Sequence, residues 1–387
     1  GDAGQGYYTI TYNNEGKVFT IEQATATVEA ESKSKAYGED DPALTAKVSG
    51  LKNGDTASVI SYVLARAEGE NVGSYTITPS GEAVQDNYKV TYATAELNIT
   101  PLNGVTVTIV GANNTADYDG EAHSVTGYTA TASTALYDVN NNITFSGSAE
   151  AKRTDAGTTN MGLAAEQFSN TNSNFGTVTF QVTDGYQTID PIDVTVTIVG
   201  ANSTDDYDGE AHTVTGYTAT ASTALYDVNK DFTFSGNESA IRTDAGTTYM
   251  GLTSDKFSNT NGNFGTVTFD VTDGFLKIDP IDVTVTITEH SGRMDYNGAE
   301  HTVTGYDVTS IKIDDKDTNL YTVNDFTFSG NASVSGTNAG TYNMELKPED
   351  FTNTNDNFAN VTFVIEDGTL VIVPIDVVVD VVGAYNT

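Results

Sequence analysis

Along the chain, apolar and polar residues alternate with a period of two in short runs bounded by Gly, Asn, Asp and Ser. Val194, Val196 and Ile198 fall on one face and Thr195 and Thr197 on the other, the pattern of a half-buried strand. Further on, Val267, Phe269 and Val271 alternate inward, Thr272-Asp273-Gly274 follows, and Leu276 and Ile278 resume the alternation. Asp-Gly between alternating runs predicts a hairpin. The helical signal is confined to one turn, "LKPEDF" at Leu346–Phe351, with "LAAEQF" and "LTSDKF" in equivalent places and Pro348 where a first helical turn tolerates it. Roughly six to eight short strands in about 90 residues predict an all-β chain built of small immunoglobulin-like β-sandwich modules. A grasp-like sheet curled over the short helix is the alternative that periodicity leaves open.

The pattern recurs. Val105–Asn140 aligns with Val194–Asn229 at an offset of 89 residues, and within those 36 positions only Asn114/Ser203, Ala116/Asp205 and Ser124/Thr213 differ. This is tandem duplication. A third copy keeps the offset to Tyr296 and then slips to 94 between Phe232 and Phe326, which places a five-residue insertion at Ser310–Asn319 and predicts a loop or hairpin tip there. Upstream, "ENVGSYTI" (Glu70–Ile77) answers "TNAGTYNM" (Thr337–Met344), so the segment from residue 23 reads as a diverged relative. The organisation expected is the last hairpin of a preceding module over 1–22, a diverged module over 23–101, repeats over 102–190, 191–279 and 280–373, and the first strand of a following module over 374–387. Module lengths run from about 80 to 94 residues on the typical scale of such domains.

The junctions carry proline and no flexible linker: "ITPLNGVTV", "IDPIDVTV" and "VPIDVVV" pass through Pro101, Pro191, Pro280 and Pro374 from one strand into the next. Proline fixes its own φ and biases the preceding residue toward extended conformations, so the joints are expected to be stiff.

Charge and composition narrow the partners. Fifty-three acidic against 17 basic side chains give a formal charge of −36, which repels nucleic acid and anionic membranes. Aromatic and β-branched content is too high for a disordered chain. With no cysteine, a disulfide framework, thiolate metal site or cysteine nucleophile is excluded. The longest apolar run, Val377–Val382, is interrupted by Asp380, so this segment is not expected to insert in a membrane.

One motif concentrates chemistry: "YDGEAHSVTGY" from Tyr118, "YDGEAHTVTGY" from Tyr207 and "YNGAEHTVTGY" from Tyr296. Its recurring members are Tyr118, Gly120, His123 and Tyr128; Tyr207, Gly209, His212 and Tyr217; and Tyr296, Gly298, His301 and Tyr306. A carboxylate beside a histidine invites an acid-base or metal reading. Against it, Glu210 precedes His212 by two residues whereas Glu300 adjoins His301, and on a strand that shift moves the carboxylate to the opposite face. The motif is therefore expected to be a tight turn and hairpin with core aromatics, carrying no catalytic residue. No cofactor is expected; calcium is the ion that Asp/Asn-rich turns such as 205–209 and 313–319 admit, though they lack the helix-flanked calcium-loop spacing. Side-chain cross-links of the Lys-to-Asn type need a lysine at one shared position, and Lys152, Lys230, Lys256, Lys277 and Lys312 share none. "NTNxNF" at 170–175, 259–264 and 353–358 is an Asn-rich turn that also offers amides to a sugar.

"KAYGEDDPALTAKVSGLKNGD", "GENVGSYTI" and "DNYKVTYATAELNITP" together resemble the MBG domain of YGX type, and the copies with "YDGEAHTVTGY", "TDAGTTYMGL" and "VTDG" resemble its YDG-type neighbours. The resemblance implies tandem modules of a bacterial, extracellular, cell-surface or adhesin-like protein, and no catalytic residue. It makes neighbouring modules of the same chain the first partners, with other copies in a filament, a glycan or a host surface protein as further ones. A non-catalytic stiff stalk is the leading expectation, and repeated ligand-binding modules the alternative.

Overall fold

The computed structural model describes residue 16 and residues 20–383. The hairpin expected over 1–22 lies almost wholly outside the described residues. Contacts divide the chain into two compact units, 1–190 and 191–387.

In the first unit, residues 24–100 hold two four-stranded sheets. Ala24–Ala30 lies between Ala46–Ser49, antiparallel, and Tyr88–Ala93, parallel, with Val84–Gln85 beyond. Ala95–Thr100 lies between Lys33–Ala36, parallel, and Gly73–Ser80, antiparallel, with Val63–Arg66 beyond. Ala26, Val28, Ile60, Tyr88 and Val90 form one core cluster and Ala30, Ile77 and Leu97 another. The first repeat centres on Val105–Gly111, flanked by Tyr128–Ala132, antiparallel, and Val178–Thr183, parallel. A second sheet places Tyr186–Asp190 between Asn113–Asp117, parallel, and Gly157–Asn160, antiparallel.

The second unit repeats this plan twice. Ile192–Gly200 and Ile281–Glu289 are the central strands, each paired antiparallel on one side and parallel on the other. The alternation does what its period requires: Val194, Val196 and Ile198 are buried while Thr195 and Thr197 are exposed. These are all-β, immunoglobulin-like sandwich modules. Among the described residues there is no α-helix, so the grasp-like alternative lacks its helix; the expected turns are single 3-10 turns at Ala165–Gln167, Ser254–Lys256 and Pro348–Asp350.

Two expected hairpins are corners instead. Phe264–Thr272 pairs beside Ile192–Gly200, whereas Phe275–Asp279 pairs with Asn202–Asp206 and Gly246–Tyr249 in the other sheet. Asp273-Gly274 therefore carries the chain between sheets. Its geometry is held from outside the turn: Asp273 accepts the Gly251 and Leu252 N–H groups at 3.0 and 2.9 Å. Gly274 passes so close to the Ala201 carbonyl that a Cβ would sit 2.5 Å from it. The opening motif is likewise a corner, because Asn202–Asp206 and His212–Thr215 belong to different sheets.

The insertion in the third repeat is a hairpin: Lys312 and Ile313 pair with Asp317 and Lys316 around Asp314 and Asp315, which take φ of +48° and +63°. The third repeat also differs at Glu289, where the earlier copies have Gly111 and Gly200. Its buried carboxylate accepts the Leu346 N–H at 2.6 Å and the Gly368 N–H at 2.7 Å. It thus caps the same loop from another direction. Residues 374–383 form no strand ladder, and Val377, Val378, Val379, Val381 and Val382 are all exposed.

Candidate functional site, the joint between modules

Each unit contains one passage from module to module, and three sequence-distant motifs meet there. In the second unit, strand Phe275–Asp279 runs through Pro280 into Ile281–Glu289. The Asp279 carbonyl accepts the Tyr207 N–H at 2.9 Å, which fixes the opening tyrosine at the end of its own module. Tyr207 then meets Phe358 of the third repeat edge to face, with ring centroids 5.7 Å apart and planes at 78°. Burial pushes its hydroxyl pKa up, aided by the Asp244 and Asp325 carboxylates.

Beside the ring pair, Asn357 grips the turn before Gly246–Tyr249. Its amide nitrogen donates to Asp244 Oδ1 at 3.1 Å, and its side-chain oxygen accepts the Ala245 N–H at 2.6 Å. Its backbone carbonyl accepts the Ile281 N–H at 3.1 Å, so one asparagine holds the previous module and the entering strand together. Gly209, at φ +81°, has Leu320 of the third repeat where a Cβ would stand, 2.6 Å away. Glycine is needed there twice over, for the left-handed backbone and for the space.

The first unit builds the same joint from different text. Tyr37 meets Phe175 at 5.4 Å and 76°. Asn174, buried, donates to Asn71 Oδ1 and accepts the Val72 N–H, both at 2.8 Å, and its carbonyl accepts the Leu102 N–H at 2.9 Å. Gly38, at φ +84°, has Leu136 in the place a Cβ would occupy. The Thr100 carbonyl accepts the Tyr37 N–H at 2.9 Å. One aromatic pair and two side-chain hydrogen bonds contribute roughly 2–4 kcal/mol to such a joint. Because the modules are already linked covalently, that suffices to keep the joint shut.

The motif residues separate into roles. Tyr128, Tyr217 and Tyr306 are core aromatics, packed edge to face on Phe168, Phe257 and Phe351. Tyr118 and Tyr296 donate their N–H groups to Asp190 and Val373, as Tyr207 does to Asp279. Gly120 and Gly298 share φ of +81° with Gly209. Pro101 and Pro191 precede the strands of the first and second repeats, and Pro374 follows Thr369–Val373.

The histidines find a partner that sequence reasoning did not name. Asp208 Oδ1 accepts the Glu210 N–H at 2.8 Å and pairs with His212 Nε2 at 3.0 Å, closing the corner; Asp119 and His123 do the same. Asp208 holds the His212 pKa above its ordinary value. Asn297 replaces the aspartate in the third copy, and His301 Nε2 there is buried without a hydrogen-bond partner. The exposed Glu210 side chain makes no bond to the pair, though its charge adds to those that raise the His212 pKa. Among the described residues no three His, Cys, Asp or Glu side chains come together as a metal-holding group. Asp205 of the 205–209 turn is instead bonded by Ser203, and Asp314 and Asp315 sit at the hairpin tip.

A cluster in the 23–101 module also escaped sequence reasoning. Buried Lys35 lies 2.7 Å from Asp41 and 2.6 Å from Glu70, and Arg66 pairs with both carboxylates. Hydrogen bonds to Asp41 raise the Lys35 pKa, and Arg66 lowers that of Asp41, so all four remain charged. The network anchors Glu70, one residue before the joint turn at Asn71.

These modules define a class, tandem all-β repeat domains joined without linkers. The MBG domain (YGX type) family matches residues 26–98 and the MBG domain family matches residues 283–374; the chain carries tandem MBG-type domains. No curated protein matches it. Among solved structures, it is similar to the N-terminal eight Ig domains of Down Syndrome Cell Adhesion Molecule isoform 1.30.30, at 10% identity and a TM-score of 0.18, over 92% of this chain and 48% of that one. Similar too are Sidekick-1 immunoglobulin domains 1–5, at 11% identity and a TM-score of 0.18 over 91% and 81%, and Drosophila N-cadherin EC1-4, at 7% and 0.16 over 93% and 94%. The chain thus spans about half the length of the first of these.

Proposed function

We propose that the chain is a non-catalytic spacer, a run of modules in an extracellular, surface-exposed adhesin-like protein of a bacterium, whose joints hold successive modules at a fixed angle. The observation that carries this reading is the joint, built from the same chemistry in both units although the modules entering it differ in sequence. Its parts recur while other surfaces drift. The organisation read from the sequence, including 374–387 as the opening of a following module, belongs to the same proposal.

Repeated recognition of a glycan or host protein predicts that exposed aromatic positions persist from copy to copy. The most exposed one does not: Tyr249, 65% exposed, is Asn160 and Asn343 in the other repeats. Sugar-stacking platforms need the ring, so the spacer reading is favoured. The cysteine-free chain permits spin labels at Ile241→Cys and Val364→Cys, both exposed and on either side of the Pro280 joint. A narrow distance distribution is expected; a broad one, indicating free hinging, overturns the spacer reading.

A further inference from the structure

The third repeat displays the receiving half of a joint. Tyr296 is tied to Val373 as Tyr207 is to Asp279, yet its side chain is exposed, whereas Tyr207 is half-buried beneath Phe358. The turn at Asn338-Ala339 has the shape of the occupied turn at Asn71-Val72: the Asn338 carbonyl accepts the Tyr342 hydroxyl at 3.0 Å, as the Asn71 carbonyl accepts that of Tyr75 at 2.8 Å. Asn338 and Ala339 are exposed. Gly298 shares φ +81° with Gly209, and no atom lies within 4 Å of its Cβ position, the place filled by Leu320 at Gly209. The chain leaves this surface through Pro374-Ile375-Asp376, the residues Pro280-Ile281-Asp282 through which the third repeat itself is entered. Ile281 packs on the third repeat's core, while Ile375 is 52% exposed.

We infer that Tyr296, Gly298 and the Asn338-Ala339 turn form a binding site for the Asn–aromatic turn and neighbouring leucine of another MBG-type module, one entered through Pro374. The inference rests on the spacer reading and specifies its partner. The occupied surfaces show what the ligand must offer. An asparagine amide satisfies the side-chain oxygen of the residue at position 71, 244 or 338 and the N–H that follows it. An aromatic edge then covers the tyrosine, and a leucine lies over the glycine. Both observed occupants, Asn174-Phe175 with Leu136 and Asn357-Phe358 with Leu320, meet these terms. The 23–101 module, on the receiving side of its own joint, also carries an exposed Asn87 before Tyr88, whose carbonyl accepts the Ala24 N–H at 3.0 Å as Asn174 and Asn357 accept theirs.

The test extends the full chain by replacing residues 375–387 with a copy of residues 281–374 and follows amide exchange residue by residue. The Ala339 N–H is expected to exchange at least about tenfold more slowly than in the unextended chain, a gain of roughly 1.4 kcal/mol. The protection is expected to vanish when the asparagine of the appended copy equivalent to Asn357 becomes alanine. Unchanged Ala339 exchange in a chain whose appended copy is folded overturns the site. Protection that appears only with a doubled mass in sedimentation also overturns it, because a second chain would then be the occupant. The Ala245 N–H in the same molecule separates the two claims: if it too is unprotected, the joint and the spacer reading fail together.

Discussion

Gly209 and Gly298 make a paired experiment. Both hold φ at +81°, so replacement by alanine costs each about 1–2 kcal/mol of left-handed backbone strain. They differ in surroundings: at Gly209 the new methyl meets Leu320 Cδ2 at 2.6 Å, and at Gly298 it meets nothing within 4 Å. Overpacking of that kind costs about 1–3 kcal/mol if nothing yields. The joint as a whole is worth roughly 2–4 kcal/mol, so the cheapest relief is for the joint to open or for Leu320 to turn away. Gly209→Ala is therefore expected to broaden the distance distribution between labels at Ile241→Cys and Val364→Cys, whereas Gly298→Ala leaves it narrow. Denaturant midpoints of the modules carrying the substitutions should fall by similar amounts. Equal distributions in the two variants, narrow or broad, would refute the claim that the motif glycine serves the joint.

Other outcomes follow from single contacts. Asn357→Ala removes two hydrogen bonds and should speed exchange of the Ala245 amide about 5–30-fold, the factor corresponding to 1–2 kcal/mol, while the Gly251 amide, bonded to Asp273 within its module, keeps its rate. The His212 pKa is raised by Asp208, so the ion pair's contribution to the corner is full below about pH 6.5 and fades as pH rises through the higher folded value, while the Glu210 N–H bond to Asp208 stays. A proton titration by NMR should put the His212 midpoint above 6.5, and Asp208→Asn should lower it. Glu289→Ala strips two buried backbone donors of a charged acceptor and should destabilise the third repeat by about 3–6 kcal/mol, visible as its early melting in calorimetry. Tyr226 and Tyr321, whose pKa values burial pushes up to about 12, should be late to ionise in a spectrophotometric titration.

Strand positions and inward faces were legible because a period of two is a local property: Val194, Val196, Ile198, Leu276 and Ile278 are buried as the alternation requires. Sheet membership was not. Asp273-Gly274 has the composition of a hairpin turn, but here the glycine serves close approach to the Ala201 carbonyl, and what decides is the parallel pairing of Phe264–Thr272 with a strand some 70 residues earlier. The joint was hidden for a related reason. Its asparagine lies 112 residues from the amide it binds, so "NTNxNF" looked like a solvated or sugar-binding turn, and the opening tyrosine looked like core. The signal that was present is co-occurrence: the tyrosine-glycine corners that start at Tyr37, Tyr118 and Tyr207, each with its Asx-Xaa-Gly turn, are followed one module later by Asn174-Phe175, Asn263-Phe264 and Asn357-Phe358. Lys35 left no such trace, because its partners Asp41, Arg66 and Glu70 converge only through the sheet.

At the joint inside each unit the earlier module gives one tyrosine, one glycine and one turn, and the later module offers one asparagine, one aromatic ring and one leucine. Donating and receiving halves are therefore inherited together. If recombination between near-identical copies deletes or adds a whole repeat, each surviving boundary still joins a complete receiving half to a complete donating half. On the spacer reading proposed above, length can then drift over generations with no compensating change at such boundaries, leaving selection to act on reach.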